Sequence, residues 1–200
     1  MDELLIQAKK QKRSQLKALL STLSESSFSL AGQELASTLK TLSVWKEAQS
    51  LCAFLSMKGE LDTHSLLENA FQDSKLIAVP RTNVSDLDFR IISSLQGPWD
   101  HGPYGIREPV LSSETLNLET MPGPVLVITP GLGFDPRGRR LGRGKGYYDR
   151  FLQRLRSLRG DVHAIGIGLP LQLIDSIPVG SSDEDVDALC IGGRYIPINP

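Results

Sequence analysis

The stretch from Val125 to Arg159, VLVITPGLGFDPRGRRLGRGKGYYDRFLQRLRSLR, decides the fold. Its first residues, Val125 to Ile128, form a short continuous apolar run, the pattern of a strand buried on both faces of a sheet. Its last part predicts a helix from about Tyr147 to Arg159. There Tyr148, Phe151, Leu152, Leu155 and Leu158 recur at helical spacing, and Gly160 follows as a stop. A glycine- and arginine-rich loop joins the two. Strand, loop and helix in that order are the repeating unit of an open α/β sheet, where ligands bind in loops at the carboxyl ends of strands.

Working outward, the same alternation continues on both sides. Residues 50–56 and 76–79 read as buried strands, the second stopped by Pro80, and residues 87–92 and 194–196 as further candidates. Ala164 to Gly168 is another short strand after the helix. The N-terminal segment predicts a long amphipathic helix, with Leu5, Leu16, Leu19, Leu20 and Leu23 on one stripe and Lys9, Lys10, Lys12 and Arg13 clustered beside it. A second helix covers about Ser29 to Leu42, and a third, capped by Asp62 or Thr63, carries Leu66, Leu67, Ala70 and Phe71. Residues 93–123 are broken by glycines and prolines and read as loop. The expectation is a single α/β domain spanning residues 1–200, with a mainly parallel central sheet flanked by helices and right-handed crossovers.

Charge and composition narrow the function classes. Lys plus Arg number 22 against 23 Asp plus Glu, a net charge of −1, so no overall field directs the chain to nucleic acid or to a membrane. Arg150, Arg154, Arg156 and Arg159 crowd one helix, which reads as a solvated face. Cys52 and Cys190 lie in apolar runs without a CxxC partner and read as buried reduced thiols. His64, His101 and His163 are scattered without metal-ligand spacing. Apolar runs are of strand length, and residues 1–25 lack a signal-peptide core, so the expectation is a soluble cytoplasmic protein, a monomer, acting on small molecules.

The chemistry belongs in residues 129–149. Gly142, Gly144 and Gly146 alternate with Arg143 and Lys145, after Arg140. Such a loop lets backbone N–H groups approach an anion closely and adds fixed positive charge just before a helix N-terminus, which suits a triphosphate. The standard phosphate motifs are absent. Arg139 stands where a P-loop needs its first glycine and Gly146 where it needs Ser or Thr, while Tyr147 replaces the third glycine of GxGxxG. On pattern alone, a flexible basic turn remains the alternative.

The string from Pro130 to Leu152, PGLGFDPRGRRLGRGKGYYDRFL, resembles the signature of the 5-formyltetrahydrofolate cyclo-ligase family, without a gap. Other pieces resemble the family in the same order: Lys9 to Arg13, Phe54 to Met57 with Glu60, Tyr104 to Pro109, and Asp183 with Val186 and Asp187. The resemblance implies a fold of the sugar-isomerase and CoA-transferase type. It implies ATP- and Mg²⁺-dependent closure of 5-formyltetrahydrofolate to 5,10-methenyltetrahydrofolate, with the formyl oxygen phosphorylated and then displaced by the folate's N10. By the same resemblance ATP meets Lys9, Arg13 and the run Arg140, Leu141, Gly142, Arg143, Gly144, Lys145, Gly146, Tyr147 and Tyr148. The folate meets Leu55 and Glu60 together with Arg143, Gly144, Lys145, Gly146 and Tyr147. Mg²⁺ falls to Asp149 and Asp183, and the catalytic cations are Arg140, Arg143 and Lys145.

This reaction suits the residues present. Its nucleophile is a nitrogen of the substrate, so no Ser-His-Asp or Cys-His set is needed, and none is found. What the protein must do is align two ligands and neutralise the transferred phosphoryl group. Several positions carry a plainer alternative. Asp149 also suits a first helical turn, Asp183 an exposed acidic loop, Tyr148 core packing, Glu60 a loop surface, and Trp99 either a cover over the site or a loop anchor. Two rivals stand beside the enzyme, namely a ligand sensor without turnover and an ATP-dependent enzyme for a different formyl or formimino compound.

Overall fold

The structure, a computed structural model, describes residues 3–83, 86–102 and 105–198. Its helices are α1 (Glu3–Leu20), α2 (Glu25–Thr41), α3 (Ser43–Glu47), α4 (His64–Gln72) and α5 (Tyr147–Leu158). Its strands are β1 (Ser50–Cys52), β2 (Leu76–Thr82), β3 (Leu87–Ile91), β4 (Trp99–His101), β5 (Arg107–Pro109), β6 (Val125–Thr129), β7 (Gly133–Phe134), β8 (Arg140–Leu141), β9 (Val162–Gly168), β10 (Ala188–Ile191) and β11 (Arg194–Pro197). Seven strands form one sheet in the order β11-β10-β9-β6-β1-β2-β3. The inner strands β10, β9, β6, β1 and β2 pair in parallel, and β3 and β11 close the two edges antiparallel.

The central strands are buried on both faces because each face meets helices. Leu51, Leu126 and Ile128 point into a core with Leu35, Leu39 and Trp45, while Cys52, Val125 and Val127 point into a second core with Phe151, Leu152 and Leu155 of α5. That period of two across a continuous apolar run is what a helix-covered parallel sheet requires. As expected from the sequence, β6 lies in the middle, with three strands on each side.

Several expectations need correcting. The strand predicted over 50–56 is β1 over Ser50–Cys52 alone, and the buried segment from Ala53 to Leu55 leaves the ladder to become cleft wall. Pro80 does not end β2. Ile92 N–H donates to Ile77 C=O, so hydrogen bonds to β3 fall on odd-numbered residues of β2 and Pro80's nitrogen faces the β1 side. There β1 has already ended opposite Ala78, and the missing N–H costs no ladder bond. Residues 93–123 hold the hairpin β4–β5, and β10 escaped the sequence reading altogether. α2 begins at Glu25, with Ser24 accepting the N–H of Ser27 as its cap. Asp62 rather than Thr63 caps α4, through the His64 N–H at 2.9 Å, and α5 ends where Arg159 turns extended. On α1, Leu19 is exposed and Lys9 buried, so the inward stripe carries charge as well as leucine. Among the described residues, no helix is long and apolar enough to cross a membrane.

Candidate functional site

The parallel strands end on one side of the sheet, and a cleft of about 930 Å³ opens there. Its floor is Pro130, Gly131 and Leu132, just beyond β6. α1 forms one side and presents Lys9, Arg13 and Lys17 at intervals of four residues, which on a helix is a single face. The glycine-rich loop follows on from β8 and brings Arg140, Arg143 and Lys145 to the same space. Opposite lie Phe54, Leu55 and Glu60 beyond β1, Pro80 and Thr82 at the end of β2, and Glu108 on β5. Every site residue expected from the sequence lines this one cleft, from Lys9 to Asp183.

The loop is shaped by glycine where no other residue serves. Gly144 has φ +108 and Gly146 φ +67, the left-handed region that side chains avoid, and Gly146 is the residue from which α5 starts. Arg13 Nε donates to Gly142 C=O at 2.9 Å, fastening α1 to the loop. Lys145 is exposed and its ammonium has no protein partner among the described residues, so it is available to a ligand.

Arg140, Lys9 and Arg143 are each met by an acid. Arg140 is buried, donates from Nη2 to Asp149 Oδ1 at 2.8 Å, and lies 5.5 Å from the centre of the Tyr148 ring. Its Nε has no partner. Lys9 forms an ion pair with Asp183, whose Oδ2 also accepts the Gly180 N–H at 2.6 Å. Arg143 donates twice to Glu60 Oε1, at 3.1 and 3.0 Å, and spans the cleft mouth. That side chain is 45 % exposed, so the bridge is of the kind that contributes at most about 1 kcal/mol and opens readily.

Tyr148 settles as a core residue at the cleft edge, edge-on to Phe89 at 6.4 Å, and its buried hydroxyl has no partner. Burial first, and then the nearby negative charge of Glu60, push its phenol far above the ordinary tyrosine range, only partly offset by Arg140. It is therefore a neutral donor at any working pH. Tyr147 is half-buried, with the Arg150 guanidinium over its ring at 5.5 Å. Trp99 lies outside the cleft lining, bonds Leu95 C=O through Nε1 at 3.3 Å and carries Arg107 over its ring, so it is a loop anchor and not a cover. Burial pushes both thiols, Cys52 and Cys190, up to about 12, which leaves them unreactive.

Among the described residues no three His, Cys, Asp or Glu side chains gather as a closed metal cage. The donors at hand are Asp149, whose Oδ2 meets no protein group among the described residues, and Asp183. One or two carboxylates facing a triphosphate subsite suit Mg²⁺, which keeps waters and takes phosphate oxygens to complete its shell. Residues missed from sequence include Lys17 and Thr82. Lys17 was legible as the next step after Lys9 and Arg13; Glu108 falls in the segment that resembles the family, but nothing in that loop-like string marks it as buried. Tyr104, in the mid-chain segment that resembles the family, lies outside the described residues.

The 5-formyltetrahydrofolate cyclo-ligase family model matches residues 5–192. The 5-formyltetrahydrofolate cyclo-ligase of Mus musculus is 31 % identical over 157 residues, covering 72 % of this chain and 73 % of the relative. That of Saccharomyces cerevisiae is 28 % identical over 205 residues, covering 92 % and 95 %. Among solved structures, the 5,10-methenyltetrahydrofolate synthetase of Aquifex aeolicus superposes with a TM-score of 0.80 at 26 % identity, covering 96 % of this chain and 93 % of that one.

Proposed function

The chain belongs to the 5-formyltetrahydrofolate cyclo-ligase family, and from that premise we propose that its cleft holds ATP against 5-formyltetrahydrofolate and closes the folate to 5,10-methenyltetrahydrofolate, releasing ADP and phosphate. The observation that carries this reading is the convergence, in one cleft of about 930 Å³, of a cationic side and a side mixing apolar and acidic groups. Small-ligand pockets span roughly 300–1,000 Å³, and this one lies at the upper end of that range.

ATP lies along α1 and the glycine loop, its phosphates met by Lys9, Arg13, Lys145 and the N–H groups from Leu141 to Tyr148. The folate lies on Leu55 and reaches Glu60, with Arg143, Gly144, Lys145, Gly146 and Tyr147 between the two ligands. The formyl oxygen attacks the γ-phosphorus, the bond to ADP breaks, and the formyl carbon becomes an imidate-like phosphate. N10 then adds to that carbon, loses its proton, and phosphate leaves with the C–O bond electrons. Arg140, Arg143 and Lys145 neutralise charge gathering on the transferred group, which in a cleft held away from bulk water is the largest contribution a protein makes to such a transfer. Mg²⁺, held by Asp149 and Asp183 with phosphate oxygens, would supply further neutralisation of the triphosphate. Binding of the anionic ligands draws Arg143 from Glu60 and Lys9 from Asp183, freeing both acids for their own partners.

The test is near-UV absorbance of the purified protein with 5-formyltetrahydrofolate, ATP and Mg²⁺. A methenyl band that grows only with ATP and Mg²⁺, matched by ADP, is expected. Nucleotide binding without that band would sink the cyclo-ligase reading and leave a sensor or an enzyme for another formyl compound.

A further inference from the structure

Glu108 stands on the folate side of the cleft with no task in the chemistry above. It is 3 % exposed, yet lines the cleft from β5. Its Oε1 accepts the Thr82 N–H at 3.1 Å, and no other hydrogen bond and no cation meets the carboxylate among the described residues. A carboxylate has about four acceptor positions, so most of this one's capacity is open. Burying such a group is costly unless donors satisfy it.

The hairpin has ties to β2 besides the one that Glu108 makes to Thr82. Arg81 Nη1 ties β4 and β5 to β2 by donating to Asp100 Oδ2 at 2.7 Å and to Pro109 C=O at 2.5 Å. Room for the carboxylate is made by Gly102, where an added Cβ would stand 2.2 Å from Glu108 Cδ. Glu60, the other acid on this side, is already engaged by two Arg143 donors and by the Met57 N–H. Glu60 meets the folate only as Arg143 is drawn away, whereas the acceptor positions of Glu108 are open without any such exchange.

We propose that Glu108 is a specificity-determining residue for the folate, accepting hydrogen bonds from the N–H groups of the reduced pterin ring. The ring's 2-amino group and N3–H lie side by side, a fork of donors that suits a carboxylate as a guanidinium does. The choice of a pterin over other ring systems then rests on an acid that rejects rings offering acceptors there, because its buried oxygens would face lone pairs. The inference rests on the folate reading of the cleft.

Glu108→Gln keeps an oxygen for the Thr82 N–H and the shape of the side chain, and removes the charge and one acceptor. The expected result is a KM for 5-formyltetrahydrofolate raised about tenfold, the loss of a hydrogen bond to a charged group, with the KM for ATP and the melting temperature unchanged. Glu108→Ala, which also releases Thr82, should raise the folate KM at least as far, and the Gln variant keeps the test valid if Ala proves unstable. An unchanged folate KM in Glu108→Gln overturns the proposal. So does a parallel rise for both substrates with a lowered melting temperature, the mark of a hairpin anchor. A fall in kcat at unchanged KM overturns it too, moving Glu108 to proton transfer. Failure of the folate reading itself shows earlier and separately, as wild-type protein without ATP-dependent methenyl formation.

Discussion

The two sides of the cleft are built differently. The cationic side comes from two local runs of sequence, Lys9 to Lys17 on one helix face and Arg140 to Tyr148 in one loop. The opposite side is gathered from the exit of β1, the end of β2 and a hairpin near residue 108, none supplying more than a few positions. A site that binds phosphates needs repeated charge and close backbone, which a short stretch can hold. A site that binds a flat, mixed-polarity ring needs surfaces meeting at an angle, which topology has to bring together.

The largest effect expected from disturbing this contrast is that of Arg140→Ala. Its side chain is 4 % exposed and pairs with Asp149, itself 17 % exposed. Removing one such donor should lower turnover about 10²- to 10³-fold. The acid left behind should cost about 3 kcal/mol of stability, visible in urea unfolding. Lys145→Ala sharpens the point from the same side, because its exposed ammonium has no protein partner. Turnover should fall roughly 10²-fold while the urea midpoint stays; near-normal turnover would remove Lys145 from phosphoryl transfer. On the opposite side, Leu55→Ala should raise the KM for folate several-fold and lower stability by about 2 kcal/mol, leaving the KM for ATP alone. Equal changes in both KM values would mean that the two sides do not divide the ligands.

The smallest effect lies outside the cleft, near the amino end of β9. His163 shares a hydrogen bond with Tyr195 at 3.2 Å, and burial lowers its pKa below the ordinary 6.5, against the pull of Asp187 and helped by Arg156. The unfolded chain binds that proton first. The stabilising contribution of the neutral ring is thus present above pH 6.5 and is lost as pH falls below it. His163→Gln should flatten this part of the stability profile, and an unaltered slope between pH 7 and 5 (the range bracketing about 6.5 for free His) would assign it to other groups.

Legibility followed the same division. The strand at 125–128, helix α5 and the glycine-rich, cationic make-up of residues 140–146 were readable because each is a local pattern with a physical period or a repeated residue type. The run past Pro80 was not, since whether a proline breaks a strand depends on whether its nitrogen faces a partner, and on that side β1 ends at Cys52, opposite Ala78. Glu60 was readable as a site residue through resemblance, yet its bond to Arg143 joins positions 83 apart. Lys9 read as a cation beside the leucine stripe of an amphipathic helix and, by resemblance, as an ATP contact; that it is buried and paired with Asp183, 174 residues on, is set by the packing of α1.

By itself, then, the sequence determined an α/β sheet with a glycine-rich loop after the central strand, and a loop whose glycines and cations sit within seven residues of one another. Hydrophobic period and local charge are set by neighbours along the chain, so no tertiary knowledge is needed to read them. Only the tertiary structure decided which acids pair with those cations, that Trp99 anchors a loop, and that Glu108 is a buried carboxylate awaiting donors. Burial and ion pairing at those positions are created by segments distant in sequence, and the energy of a charge depends on what surrounds it in space.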